Sequence, residues 1–211
     1  MRATVIAIGI IAQMVAWWRI SSGRVTVWQL MPFVLCAMGI AALLLMPPPQ
    51  RTTGVGVALA VGAGAGFALF LGTRVFVAIA SHWGPFARHV EEAYREAAEE
   101  PVRAALVLSL LVSVPAEEIF YRGLVQRTLW GTPLGAGGAA VAVLVLYVLG
   151  NLPSRSLPIV AGAVVGGAVW GALAWWSGGL AAPLASHILW TGLMLVLPPK
   201  VGTKVGREAP A

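Results

Sequence analysis

The sequence predicts an all-α fold: a polytopic helical membrane bundle of about seven transmembrane helices with one interfacial helix. Three observations carry this. Hydrophobic residues fill 59% of the 211 positions, and the mean hydropathy is +0.85. Charged residues supply 10%, against roughly 25% in soluble domains. The apolar residues stand in long unbroken runs, where a membrane β-barrel would alternate. The same composition excludes disorder, which needs low hydrophobicity and high charge. Lys and Arg number 14 against 8 acids, all of them glutamate. In a membrane protein such an excess sets the topology of the loops. No basic patch with interleaved aromatics stands outside the apolar runs, so no nucleic-acid partner is expected.

Each element follows from where an apolar run starts and stops. Span one is about Ala3–Trp18, read as an anchoring span because only Arg2 precedes it and no small-residue cleavage site follows. Span two, about Val27–Met46, stops at Pro47, Pro48 and Pro49, which remove three donors and fix three φ angles. Span three, about Gly54–Ala80, carries Gly62, Gly64 and Gly66, small residues that let helices approach closely in lipid. The one long polar stretch follows. Within it His89–Glu100 is a strong helix former ahead of Pro101, and it reads as an interfacial helix. Span four is about Val102–Tyr121, span five about Leu134–Leu149, span six about Leu157–Trp176 and span seven about Leu180–Leu197. In span six Gly162, Gly166, Gly167 and Gly171 form a packing face. Trp17, Trp18, Trp175 and Trp176 sit at span ends, as an interfacial belt requires. Cys36 stands alone in an apolar run, lipid-facing or packed.

The organisation is thus residues 1–80 as N-terminal helices, 81–102 as a polar interfacial segment, 103–198 as a core and 199–211 as a basic tail. The lipid bilayer is the first partner. With the N-terminus outside, the inner loops hold Arg19, Arg24, Arg88, Arg95, Arg103, Arg155, Lys200, Lys204 and Arg207. The outer side holds Arg2, Arg51, Arg122 and Arg127, and Arg74 falls within span three. The cation bias therefore favours N-out and C-in, which puts the end of span four toward the outer face.

An ionisable residue inside a span is a functional candidate by default, because burying charge in lipid is costly. The main group is Val114-Pro-Ala-Glu-Glu-Ile-Phe-Tyr-Arg-Gly123 at the end of span four. Glu118 and Arg122 are four apart with the acid first, the favourable order for a helical ion pair. Glu117 points about 100° away from that pair and has no basic partner within a turn. The spacing therefore separates a structural acid, Glu118, from a chemical one, Glu117, fitted for general base or acid work. His187 in span seven is a candidate to hold an oxyanion or a water, with Thr191 one turn on. Tyr147 and Asn151 share a face at the end of span five, where Asn151 ahead of Pro153 also reads as a plain helix terminus. No His-Glu-x-x-His, Gly-x-Ser-x-Gly or Gly-x-x-x-x-Gly-Lys pattern occurs, and no cofactor or metal is expected. Ser113, Ser154, Ser156 and Ser186 lack a matched base, while His82 and His89 read as surface residues.

Glu117-Glu118-x-x-x-Arg122, then Tyr147-x-x-x-Asn151, then His187-x-x-x-Thr191, in that order on three spans, resembles the CPBP family. These are the CAAX-protease and bacteriocin-processing (Abi) intramembrane proteases, which include the type II CAAX prenyl endopeptidases. The resemblance covers roughly residues 103–198; the first three spans carry no family signal. It implies hydrolysis of a peptide bond near the membrane-embedded C-terminal part of a substrate protein. Water would be activated by Glu117, Glu118 and Arg122 would brace the site, and His187 would help hold the oxyanion. The sequence departs from the family pattern at Asn151, where the family has His, and at Thr191, where it has Asn or Asp. Asn151 can hydrogen-bond a water but cannot take a proton. An impaired homologue that binds a membrane partner or peptide is the alternative, and a proton or cation transporter a third reading. The Asn151-Leu-Pro-Ser-Arg stretch also faintly resembles bacterial myxosortase-type members, which implies a bacterial inner membrane and an outward-facing site.

Overall fold

The computed structural model describes residues 1–49, 53–97 and 101–199. Among the described residues eight helices follow one another, with a short 3-10 turn, Leu152–Ser154, after the sixth: α1 Arg2–Ser21, α2 Val27–Leu45, α3 Val55–Ala80, α4 Gly84–Ala97, α5 Val102–Trp130, α6 Gly135–Asn151, α7 Leu157–Ser177 and α8 Ala181–Val196. No strand occurs among the described residues. Among the described residues six helices are long and apolar enough to cross a bilayer. The last, α8, is apolar but only 16 residues long. The predicted polar helix is α4, which starts before His89. The end of its predicted range, and the tail from Lys200, lie outside the described residues.

Local chemistry explains the helix ends. Thr26 and Gln29 form a reciprocal capping box at the start of α2, satisfying two backbone donors that have no helical partner. Gly178 ends α7 with φ +67°, a left-handed conformation that costs glycine little. Arg155 adopts φ 56° between α6 and α7, the one non-glycine among the described residues with positive φ.

Side-chain and backbone bonds between helix ends sort the bundle into two rims. On one rim Trp17 meets Asn151, His89 accepts from the Leu157 N–H, and Arg74 donates to the Leu197 carbonyl. On the other, Arg2 donates to the Leu45 carbonyl, Thr53 N–H to the Ser177 carbonyl and Arg127 to the Pro47 carbonyl. His89 is thus no free surface residue; it ties α4 to the start of α7. Its neighbour His82 does sit at the surface, near the Ile79 carbonyl.

α3 and α8 pack with their backbones almost touching. A Cβ on Gly62 would collide with the Ala182 backbone, and one on Gly66 with the Ser186 backbone. Gly64 faces open space, so two of the three predicted small residues make this seam. Without an apolar driving force in lipid, such close packing is what holds helices together. Gly66→Leu is expected to force α8 away and lower stability by about 2–4 kcal/mol. Thermal unfolding in detergent would check this, with Gly64→Leu, near neutral, as the control.

The expected end of span four is corrected. The helix does not stop at Tyr121 but runs through Arg122 and Arg127 to Trp130. Both cations have partners that offset their burial: Arg122 pairs with Glu118, and Arg127 donates to the Pro47 carbonyl at 3.1 Å. They are therefore not loop charges, and Glu117 stands near the middle of a 29-residue helix.

Candidate active site

α5 is a helix of mixed winding. Two π-helical stretches, Leu108–Ser113 and Ile119–Gln126, flank a short α-helical segment, Val114–Glu118, that carries the two glutamates. Pro115 gives a local reason for the first. It has no N–H and its ring crowds the carbonyl four residues back, at Leu111, inside the widened turn. Widened turns of this kind recur at functional sites.

The two glutamates part company as the spacing predicts. Glu118 and Arg122 are fully buried and paired, Arg122 Nη1 lying 3.3 Å from Glu118 Oε1. Arg122 also donates to the Gly167 carbonyl at 3.3 Å and lies over the Tyr147 ring at 4.7 Å. The same Glu118 oxygen accepts from His187 Nδ1 at 2.8 Å. One carboxylate thus couples α5 to α8. Because Nδ1 is used on Glu118, the other ring nitrogen, Nε2, is left to the site.

Glu117 instead lines a cavity of about 630 Å³. Tyr147, Asn151, His187 and Thr191 line the same cavity, so the structure brings together five of the seven predicted site residues on its wall. Glu118 and Arg122 stand behind them. His187, Arg122 and the Tyr147 hydroxyl lie within electrostatic reach of Glu117. The rest of the wall is mainly apolar. The first three helices contribute to it through residues such as Gln13, Trp17, Leu35 and Phe76, and α4 closes the far end with Phe86, Val90 and Tyr94. Burial raises the Tyr94 phenol above its ordinary value, with Arg74 partly opposing. Tyr94 therefore stays neutral at that end of the cavity.

The cavity extends from mid-helix Glu117 toward the rim that bears α4, Asn151 and Trp17. The sequence reading placed Glu117 toward the opposite rim. That placement rested on ending span four at Tyr121, and it falls with the longer α5.

Asn151 ends α6 and is 4% exposed. Its Nδ2 donates to the Tyr147 carbonyl at 2.8 Å, and its Oδ1 accepts from Trp17 Nε1 at 2.9 Å. Asn151 thus both ends the helix and lines the cavity. Trp17 consequently turns inward, whereas Trp18, Trp175 and Trp176 are exposed.

Sequence reasoning missed three contributors. Gln13 accepts from the Tyr121 hydroxyl at 2.7 Å inside the bundle. As a carboxamide in an otherwise apolar span, it carried the same signal as the glutamates. Trp17 stands where an interfacial belt is expected, which hides its inward bond to Asn151. Trp170, 1% exposed and stacked on His187, carried no signal, since tryptophan is unremarkable in an apolar helix. The predicted glycine face of α7 divides. Gly167 and Gly171 approach α6, while Gly162 and Gly166 open onto the cavity. Among the described residues no three His, Cys, Asp or Glu side chains gather as metal ligands would.

Residues 100–193 match the family profile described as type II CAAX prenyl endopeptidase, Rce1-like. The matched stretch is just under half of the chain and contains α5 to most of α8, with every predicted site residue. No curated protein and no solved structure matches the chain. The match places residues 100–193 in the CPBP family of Rce1-like CAAX prenyl endopeptidases.

Proposed function

We propose that this integral, multi-pass membrane protein is an intramembrane endopeptidase in which Glu117 activates water. The observation that supports it is the division of labour between two adjacent acids. Glu118 is consumed by Arg122 and His187, while Glu117 faces a largely apolar cavity within the bundle. A carboxylate beside a water can take its proton as the oxygen attacks a peptide carbonyl. His187 Nε2, left as an acceptor because the ring proton is on Nδ1 toward Glu118, holds the attacking water, while the oxyanion that forms is held by the remaining Asn151 amide hydrogen, with Thr191 on the same wall. Collapse breaks the C–N bond, and the leaving nitrogen takes from Glu117 the proton that the water had given it. His187 is braced for this by Glu118, and Glu118 is in turn held by Arg122.

The substrate of this reading is a hydrophobic C-terminal segment of another membrane-bound protein, which the apolar walls would receive from the bilayer. Among the described residues, the rim toward which the cavity extends carries Arg19, Arg24, Arg74, Arg88, Arg95, Arg103 and Arg155; the other carries Arg2 and, bonded to the Pro47 carbonyl, Arg127. Positive-inside bias then turns the cavity toward the cytosol, in a bacterial inner membrane on our reading. That orientation suits a lipidated cytosolic C-terminus such as a CAAX box and speaks against an exported sorting anchor. An impaired homologue is the alternative, and Asn151 is the residue that favours it.

The test is a comparison of membrane-protein C-termini in cells carrying wild type or Glu117→Gln. New termini present only with wild type support the peptidase. Identical sets of termini would leave a binding protein. Asn151→His is expected to raise turnover by up to about tenfold, because imidazole can accept a proton where carboxamide cannot. Initial rates on a farnesylated, fluorescence-quenched peptide would measure it.

A further inference from the structure

We infer that Trp170 is the positioning residue that sets the plane of His187 and so aims its Nε2 at the cavity. The inference rests on the peptidase reading for its kinetic consequence, but its geometry stands alone. The imidazole and indole rings lie 3.5 Å apart between centroids and 15° from parallel. Trp170 is 1% exposed, and His187 is 4% exposed. Both line the cavity.

The hydrogen bond from Nδ1 to Glu118 fixes one atom of the His187 ring. Held through Cβ on one side and by this bond on the other, the ring can still tilt about the line joining the two, and Nε2 sweeps an arc. A flat partner in face contact removes that rotation, because the ring cannot turn without entering the indole. The two constraints together define where Nε2 lies. A misplacement of about 1 Å at such a group costs roughly 100-fold in rate.

Trp170 is itself held from several sides. Tyr147 and Trp190 meet it edge-on at 6.4 and 5.6 Å, and the Arg122 guanidinium lies 5.5 Å from its ring. Trp190 Nε1 donates to Thr73 Oγ1 at 3.0 Å, which anchors that neighbour to α3. Trp170 and Gly166 are four apart, and a Cβ on Gly166 would press on the indole at 2.7 Å. Glu118, Arg122, Trp170 and His187 thus form a closed ring of contacts from three helices. Trp170 shares its stacked pair with no other imidazole: His82 and His89 lie at and beside α4.

The experiment uses the full chain in lipid nanodiscs, with wild type, Trp170→Phe, Trp170→Leu and Glu117→Gln. The chain has three histidines, so ring signals of isotopically labelled histidine are few, and loss of one in His187→Gln assigns it. Wild type and Trp170→Phe are expected to give one His187 ring environment, its ring protons shifted upfield by the aromatic face. Trp170→Leu is expected to lose that shift and give a broadened signal. On the farnesylated quenched peptide, Trp170→Leu is expected to lower kcat at least roughly tenfold with KM within about threefold. Trp170→Phe should restore most of it.

An unchanged His187 signal in Trp170→Leu overturns the inference. So does an unchanged kcat in Trp170→Leu while Glu117→Gln is inactive, or an equal loss in Phe and Leu that follows their melting temperatures. If Leu fails to fold, the Phe variant and Trp170→Met decide by the same signal. If Glu117→Gln turns over like wild type, or wild type leaves the peptide intact, the peptidase reading fails separately. The ring signals then still decide whether Trp170 orients His187.

Discussion

Glu117→Gln should lower kcat by about 10³-fold while leaving KM nearly unchanged. The substitution keeps shape and volume, so the apolar wall still binds. It removes the one cavity-lining carboxylate among the described residues. Glu118 cannot substitute, because its Oε1 is committed to both Arg122 and His187 and the side chain is fully buried. Glu117→Asp withdraws the carboxylate by one methylene and should cost roughly 100-fold. Michaelis kinetics of the three proteins on the quenched peptide would check the series. Full turnover by Glu117→Gln would remove the general-base role altogether.

Glu118→Ala should destabilise the fold by about 3–5 kcal/mol, the usual cost of leaving a buried charge without its partner. Arg122 has no exposure to water as an alternative, and the Gly167 carbonyl at 3.3 Å does not neutralise it. His187 also loses the acceptor of its Nδ1. Adding Arg122→Met removes the orphaned cation and should restore much of the stability but none of the activity, since His187 remains unbraced. Reversible unfolding in mixed micelles, read beside kinetics, separates these effects. A Glu118→Ala protein as stable as wild type would show that the pair does not hold the helix as argued.

How far the sequence carried depends on what kind of signal each feature leaves. Hydropathy located α1 to α3 and α6 to α8 to within a few residues, because lipid demands an apolar run and tolerates little else. It failed at α5. There a run of Arg122, Gln126 and Arg127 imitates a loop, and only the pairing of those side chains inside the bundle keeps the helix going. The Glu118–Arg122 pair was legible, since both partners lie on one helix at fixed spacing. The bond from Glu118 to His187 was not, because no local rule relates residues 69 positions apart. The same holds for Trp17 with Asn151 and for Trp170 with His187. The resemblance named the residues of the candidate site; only the fold could show which of them face the cavity.

The brevity of α8 has a consequence for the lipid around it. Sixteen helical residues measure about 24 Å, less than the roughly 30 Å of an ordinary hydrocarbon core. α3 beside it has 26 residues and is not short. The bundle therefore presents a thick side and a thin side. Along the thin side the acyl chains must shorten their reach or the headgroups must sink, and the polar boundary moves toward the level of His187. A hydrolase buried among hydrocarbon needs a supply of water. The mismatch at one undersized helix would pucker the bilayer where that water is consumed, without any polar channel cut through the protein.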